Sequence, residues 1–150
     1  MLLRLAAKNL RGESFWRDDW GCRVKNSLSF MIVGIGIDLA EVERYRFEPR
    51  QLEWFARKIY TEAEMTYAMR KRNWPERLAG FFAAKEATRK AFGHAIPWRW
   101  IGVGHERSGK PTIELLGKAH GLIAAREVRA IHLTITHTAS TAAAVVVLER

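Results

Sequence analysis

The stretch LAGFFAAKEATRKAFG, Leu78–Gly93, decides how the chain folds. At about 100° per residue, Ala79, Gly80, Ala83, Ala84, Ala87 and Ala91 share one broad face of a helix. Small residues on a face let the helix backbone come very close to a neighbour. Lys85, Glu86, Arg89 and Lys90 fall on the other side, beside Phe81 and Phe82. Gly93 is placed to end the helix. At its start Asn73 is positioned as the cap, with Trp74 first and Pro75 in the first turn, where a missing N–H costs nothing. Two readings of the four charges are open. One is an exposed pair between Glu86 and Lys90, worth roughly 0.3–0.5 kcal/mol. The other is one acid placed for a cation among bases placed for phosphates.

Upstream of this helix, MIVGIGID (31–38) is a short apolar run with β-branched residues and reads as a buried strand. Gly34 and Gly36 alternate within it, which marks close approach of a ligand or of another backbone. Asp38 ends the apolar run, either as a functional group held on rigid scaffolding or as the cap of a helix beginning AEVER. Further on, Leu52, Phe55 and Ile59 recur at helical spacing, and Pro49 divides this region into two short helices. Thr61–Glu64, TEAE, is a capping box that opens a helix through about Lys71. Beyond Gly93 the pattern changes. Strands are expected at 99–106 and 112–115 around the turn RSGKP, a short helix at 117–127, and strands at 130–136 and 142–148 joined by HTAST. This order predicts an α+β fold: one domain with a largely antiparallel sheet packed against the long central helix.

Residues 1–30 show neither helical nor strand periodicity and are read as an N-terminal extension to a domain at 31–150: a loose tail, an upstream start, or less readily a targeting segment, against which its three acids argue. The net charge of +9 is spread along the chain and favours anionic partners without naming one. No apolar run approaches the roughly 20 residues that span a bilayer. The one cysteine, Cys22, excludes a disulfide framework and suits the cytoplasm. His137 continues the stripe of Leu133 and Ile135 to a strand end, as a core residue or a site residue. The other four histidines have no metal-ligand spacing.

These residues combine in one chemically sensible way. Magnesium takes oxygen ligands, commonly one or two carboxylates completed by substrate phosphates and water. Asp38 and Glu86, on different elements and near lysines, suit a pyrophosphate site.

Three segments, GIGIDLAEVER, FAAKEATRKAFG and LTITHT followed by AAAVVVLE, with a weaker match at GKP (Gly109–Pro111), resemble the holo-acyl-carrier-protein synthases, the short type of 4′-phosphopantetheinyl transferase. The resemblance spans 31–150. It implies transfer of phosphopantetheine from coenzyme A to a serine of apo-acyl carrier protein, releasing adenosine 3′,5′-bisphosphate. It implies Asp38 and Glu86 as magnesium ligands, with Glu86 also helping to deprotonate the serine. Lys90, with Lys85 beside it, would contact coenzyme A phosphate, and His137 would lie near the cofactor. It implies a homotrimer with sites between subunits. An acidic carrier also fits the charge of the helix expected after Asp38, where Arg44, Arg46 and Arg50 are read as the docking face. One position departs from the family: Phe81 stands where many relatives carry arginine. Two rivals remain distinct by chemistry. A nucleic-acid module is suggested by charge and six tryptophans, yet no recognised binding signature is present. A phosphohydrolase would use the same acids without an acceptor protein. Neither a nucleic-acid nor a membrane partner is expected.

Overall fold

The computed structural model describes residues 31–150 throughout and, of residues 1–30, three short strands. These are β1 (Ala7–Lys8), β2 (Ser14–Arg17) and β3 (Arg23–Lys25), which pair antiparallel in a unit of their own. Cys22 lies outside the described residues.

In the second unit, β4 (Ile32–Glu41), β7 (Ala130–His137) and β8 (Thr141–Glu149) form an antiparallel sheet with β8 in the middle. Strand alternation sorts its side chains. Ala142, Ala144, Val146 and Leu148 of β8 point to one face and are fully buried there. Helix α3 (Trp74–Phe92) covers that face and ends at Gly93, whose φ of 62° is left-handed and suits glycine. The predicted small-residue face of α3 is the buried one: Ala79, Ala83, Ala84 and Ala87 have no exposure.

Gly34 and Gly36 explain how close the two elements lie. A Cβ on Gly36 would sit 1.9 Å from the Ala87 carbonyl oxygen, and one on Gly34 would sit 2.3 Å from that of Ala91. The glycines are therefore required by another backbone rather than by a ligand.

The remaining elements frame this pair. Helix α1 (Pro49–Lys58) starts with Pro49 at its first position and a capping box between Glu48 and Gln51. Helix α2 (Glu62–Met69) opens on the expected box between Thr61 and Glu64. Strands β5 (Ile101–His105) and β6 (Pro111–Leu115) make a separate hairpin, and α4 (Gly121–Ala125) follows a 3-10 turn at Gly117–His120. Among the described residues no helix is long and apolar enough to cross a membrane.

Three expectations change. Asp38 does not end its strand or cap a helix: β4 runs on to Glu41, because residues 39–41 complete the ladder with β8 and the Val42 N–H then donates to the Ser140 carbonyl. A 3-10 turn, Val42–Tyr45, follows instead of an α-helix, so Arg44, Arg46 and Arg50 lie on a turn, a connector and α1 rather than on one helix. Asn73 precedes α3 but its side chain makes no capping bond.

Candidate active site

Asp38 belongs to the same strand face as Gly34 and Gly36, so the strand delivers its carboxylate to the edge of α3. There the Lys90 ammonium donates to Asp38 Oδ1 at 2.7 Å and to the Ile37 carbonyl at 2.9 Å. Lys90 sits one helical turn after Glu86, and the ion pair to Glu86 that its spacing allowed is replaced by this longer-range one. The Asp38 side chain keeps 15% exposure and that of Glu86 keeps 21%.

Glu86 is held through a single oxygen. Arg89 donates to Oε1 at 2.5 Å, and the indole N–H of Trp98 donates to the same atom. The Arg89 guanidinium also lies 5.0 Å from the Trp98 ring centre, close enough for a cation–π contact. Each acid thus has one oxygen bound to α3 or its following loop, and one oxygen without a protein partner among the described residues.

Tyr45 is buried within electrostatic reach of both acids. Burial pushes its phenol above its ordinary range; Arg44 opposes the rise, and Asp38 and Glu86 add to it. Tyr45 and Arg44 also line an apolar cavity of about 380 Å³ with Trp54, Phe55, Phe82 and Trp98. Neither Tyr45 nor Trp98 was singled out from sequence. Trp98 follows the helix stop and folds back on it, a non-local contact that periodicity does not carry.

Lys85 corrects an expectation. It has no exposure, and its ammonium is shared among Glu64 Oε1 at 2.9 Å, the Trp98 carbonyl at 3.0 Å and the Ile101 carbonyl. Burial pulls the ammonium below its ordinary value, and Glu64 works against that pull. All three donors are used inside the protein, so none is left for a coenzyme phosphate. The helix turns Lys85 inward and its neighbour Glu86 outward.

His137 is not brought to Asp38 within one chain. It is exposed at the end of β7, and β8 lies between its strand and β4. Phe81, at the position where relatives carry arginine, is 3% exposed and packs near Tyr67 and His105. Arg77 and Lys71 near that cluster join burial in holding the His105 imidazole below its ordinary value.

The donor set fits a hard divalent cation that relies on substrate for most of its ligands. No group of three His, Cys, Asp or Glu that could hold a metal occurs among the described residues. Two carboxylates, each with a free oxygen, match magnesium's habit of taking one or two protein acids plus phosphate oxygens.

The chain as a whole is similar in sequence and fold to known proteins. The profile described as the 4′-phosphopantetheinyl transferase superfamily matches residues 34–146. A holo-[acyl-carrier-protein] synthase of Solibacter usitatus is 46% identical over 124 residues, covering 79% of this chain and 99% of that protein. The structure of the Neisseria meningitidis holo-[acyl-carrier-protein] synthase is similar with a TM-score of 0.71 and 32% identity, covering 80% of this chain and 100% of that one. The Bacillus anthracis synthase, solved in complex with CoA (3′,5′-ADP), gives 0.64 and 35%, covering 79% and 97%.

Proposed function

Because the chain belongs to the 4′-phosphopantetheinyl transferase superfamily, we propose that it moves the 4′-phosphopantetheine group from coenzyme A to a serine hydroxyl of apo-acyl carrier protein. Adenosine 3′,5′-bisphosphate is the leaving product. The observation that carries this reading is the packing of β4 on α3, which pairs Asp38 with Lys90 one helical turn from Glu86 and leaves one oxygen of each acid free.

The serine oxygen attacks the phosphorus next to pantetheine, and the bond from that phosphorus to the bridging oxygen breaks. The serine proton passes to the free oxygen of Glu86, directly or through one water. Lys90, with a side chain 52% exposed, turns its ammonium towards the pyrophosphate. Asp38 and Glu86 are the residues that would hold magnesium, which supplies neutralisation of charge on the leaving phosphate.

Arg44, Arg46 and Arg50 are exposed, Arg44 at the rim of the apolar cavity, and suit an acidic carrier protein. In the proposed homotrimer His137, which β8 separates from Asp38 of the same chain, would complete the site of another copy. The single cysteine fits a cytoplasmic setting.

The deciding experiment is mass spectrometry of apo-acyl carrier protein incubated with the chain, coenzyme A and magnesium. The expected result is a gain of one phosphopantetheine, with the rate lowered about 10²–10⁴-fold in Glu86→Gln and Asp38→Asn. In the same assay Arg44→Ala with Arg46→Ala raises the KM for carrier and leaves that for coenzyme A unchanged. No gain with several carriers removes the proposal, and adenosine bisphosphate released without carrier modification supports hydrolysis instead.

A further inference from the structure

We propose that Trp98 is a positioning residue for Glu86, and that the buried lysine beside Glu86 sets its place; this rests on the transferase reading above. Trp98 opens the 3-10 turn Trp98–Trp100, just after the loop that leaves α3. Its carbonyl accepts from Lys85 at 3.0 Å and its indole N–H donates to Glu86. Lys85 and Glu86 are consecutive, so they leave the helix about 100° apart. They grip one residue at its two ends, its backbone and its side chain. Phe82 at 5.9 Å and the Arg89 guanidinium at 5.0 Å pack against the ring.

The chemistry of the grip explains why an indole suits the position. Arg89 and Trp98 both load Oε1, so the carboxylate has one anchored oxygen and one that is free for the reaction. Two donors on one atom stop the group from rotating to exchange its oxygens. The second donor is neutral. A second cation there would also orient the carboxylate, yet it would compete with the proton or metal ion that the free oxygen must accept. Trp98 fixes direction without adding charge. The same ring forms a wall of the cavity that Arg44 and Phe82 line, so the anchor for Glu86 and the boundary of that cavity are one side chain.

Trp98→Phe keeps a ring against Phe82 and Arg89 and deletes the N–H. The full chain with coenzyme A, magnesium and apo-acyl carrier protein is expected to show kcat reduced roughly tenfold, as for loss of a hydrogen bond to a charged group. The two KM values should stay within about twofold, because no substrate contact is lost. Trp98→His, which retains a ring N–H, should recover part of kcat. An unchanged kcat in Trp98→Phe, or a His variant no faster than the Phe variant, overturns the proposal. A second readout is independent of turnover. The indole N–H resonance assigned to Trp98 by its loss in Trp98→Phe should move in Glu86→Gln. If it does not move, the contact itself is refuted. If the wild-type chain transfers nothing, the transferase reading fails, and the resonance alone decides whether Trp98 holds Glu86.

Discussion

Glu64 shows how much one side chain can organise once it is buried. Its Oε2 accepts the Thr61 N–H at 2.8 Å to close the capping box of α2. Its Oε1 accepts the Val103 N–H at 2.7 Å and the Lys85 ammonium at 2.9 Å. One carboxylate therefore ties α2 to β5 and to α3, with no exposure on either side of the ion pair. Removing its charge leaves Lys85 as an uncompensated buried cation, so Glu64→Gln should cost about 3–5 kcal/mol in urea unfolding. Replacing both partners by apolar residues, Glu64→Leu with Lys85→Met, should restore most of that loss. A loss below about 1 kcal/mol in the single variant would mean the pair contributes little. The capping role was readable from TEAE because it is local. The ion pair was not, because its partner lies on another helix and looked, by periodicity, like an outward-facing base. Glu86 and Asp38 were readable as chemistry; the indole that holds Glu86 was hidden in a loop.

At the scale of elements, the contact between β4 and α3 fixes the site. Asp38 is carried by the strand and Glu86 and Lys90 by the helix, and the two backbones touch where Gly34 and Gly36 lack side chains. Gly36→Ala puts a methyl group 1.9 Å from the Ala87 carbonyl, which is backbone and cannot rotate away. The expected cost is at least about 3 kcal/mol in denaturant unfolding, at the upper end of overpacking effects. Gly121→Ala is the control: nothing lies within 4 Å of its added Cβ, and its stability should stay at or slightly above wild type. Both halves of this contact were legible, the strand from its alternating glycines and the helix from its alanine face. Each announced a close neighbour. What neither announced was where β4 ends, because AEVE has little strand character and only pairing with β8 extends it.

For the molecule as a whole, the outer face of the main sheet is the feature that a single chain leaves unfinished. Ile35, Ile37 and Leu39 stand on it with 62%, 58% and 67% exposure. The proposed occupant of this face is another copy of this chain, whose His137 would complete the proposed site. Leu39→Asp should convert the assembly to monomer in sedimentation equilibrium and abolish transfer with it. An active monomer would separate assembly from catalysis. Within each chain the two acids are already paired with counter-charges. Two carboxylates, Asp38 and Glu86, meet one ammonium and one guanidinium, Lys90 and Arg89, and the sum is zero. The acids can therefore be held together without an ion to keep them apart. In small domains whose ligands repel one another until a metal arrives, folding waits for the metal. Here the polypeptide brings its own counter-charges, so the chain is expected to fold without a metal, with the same urea midpoint in the presence of a chelator.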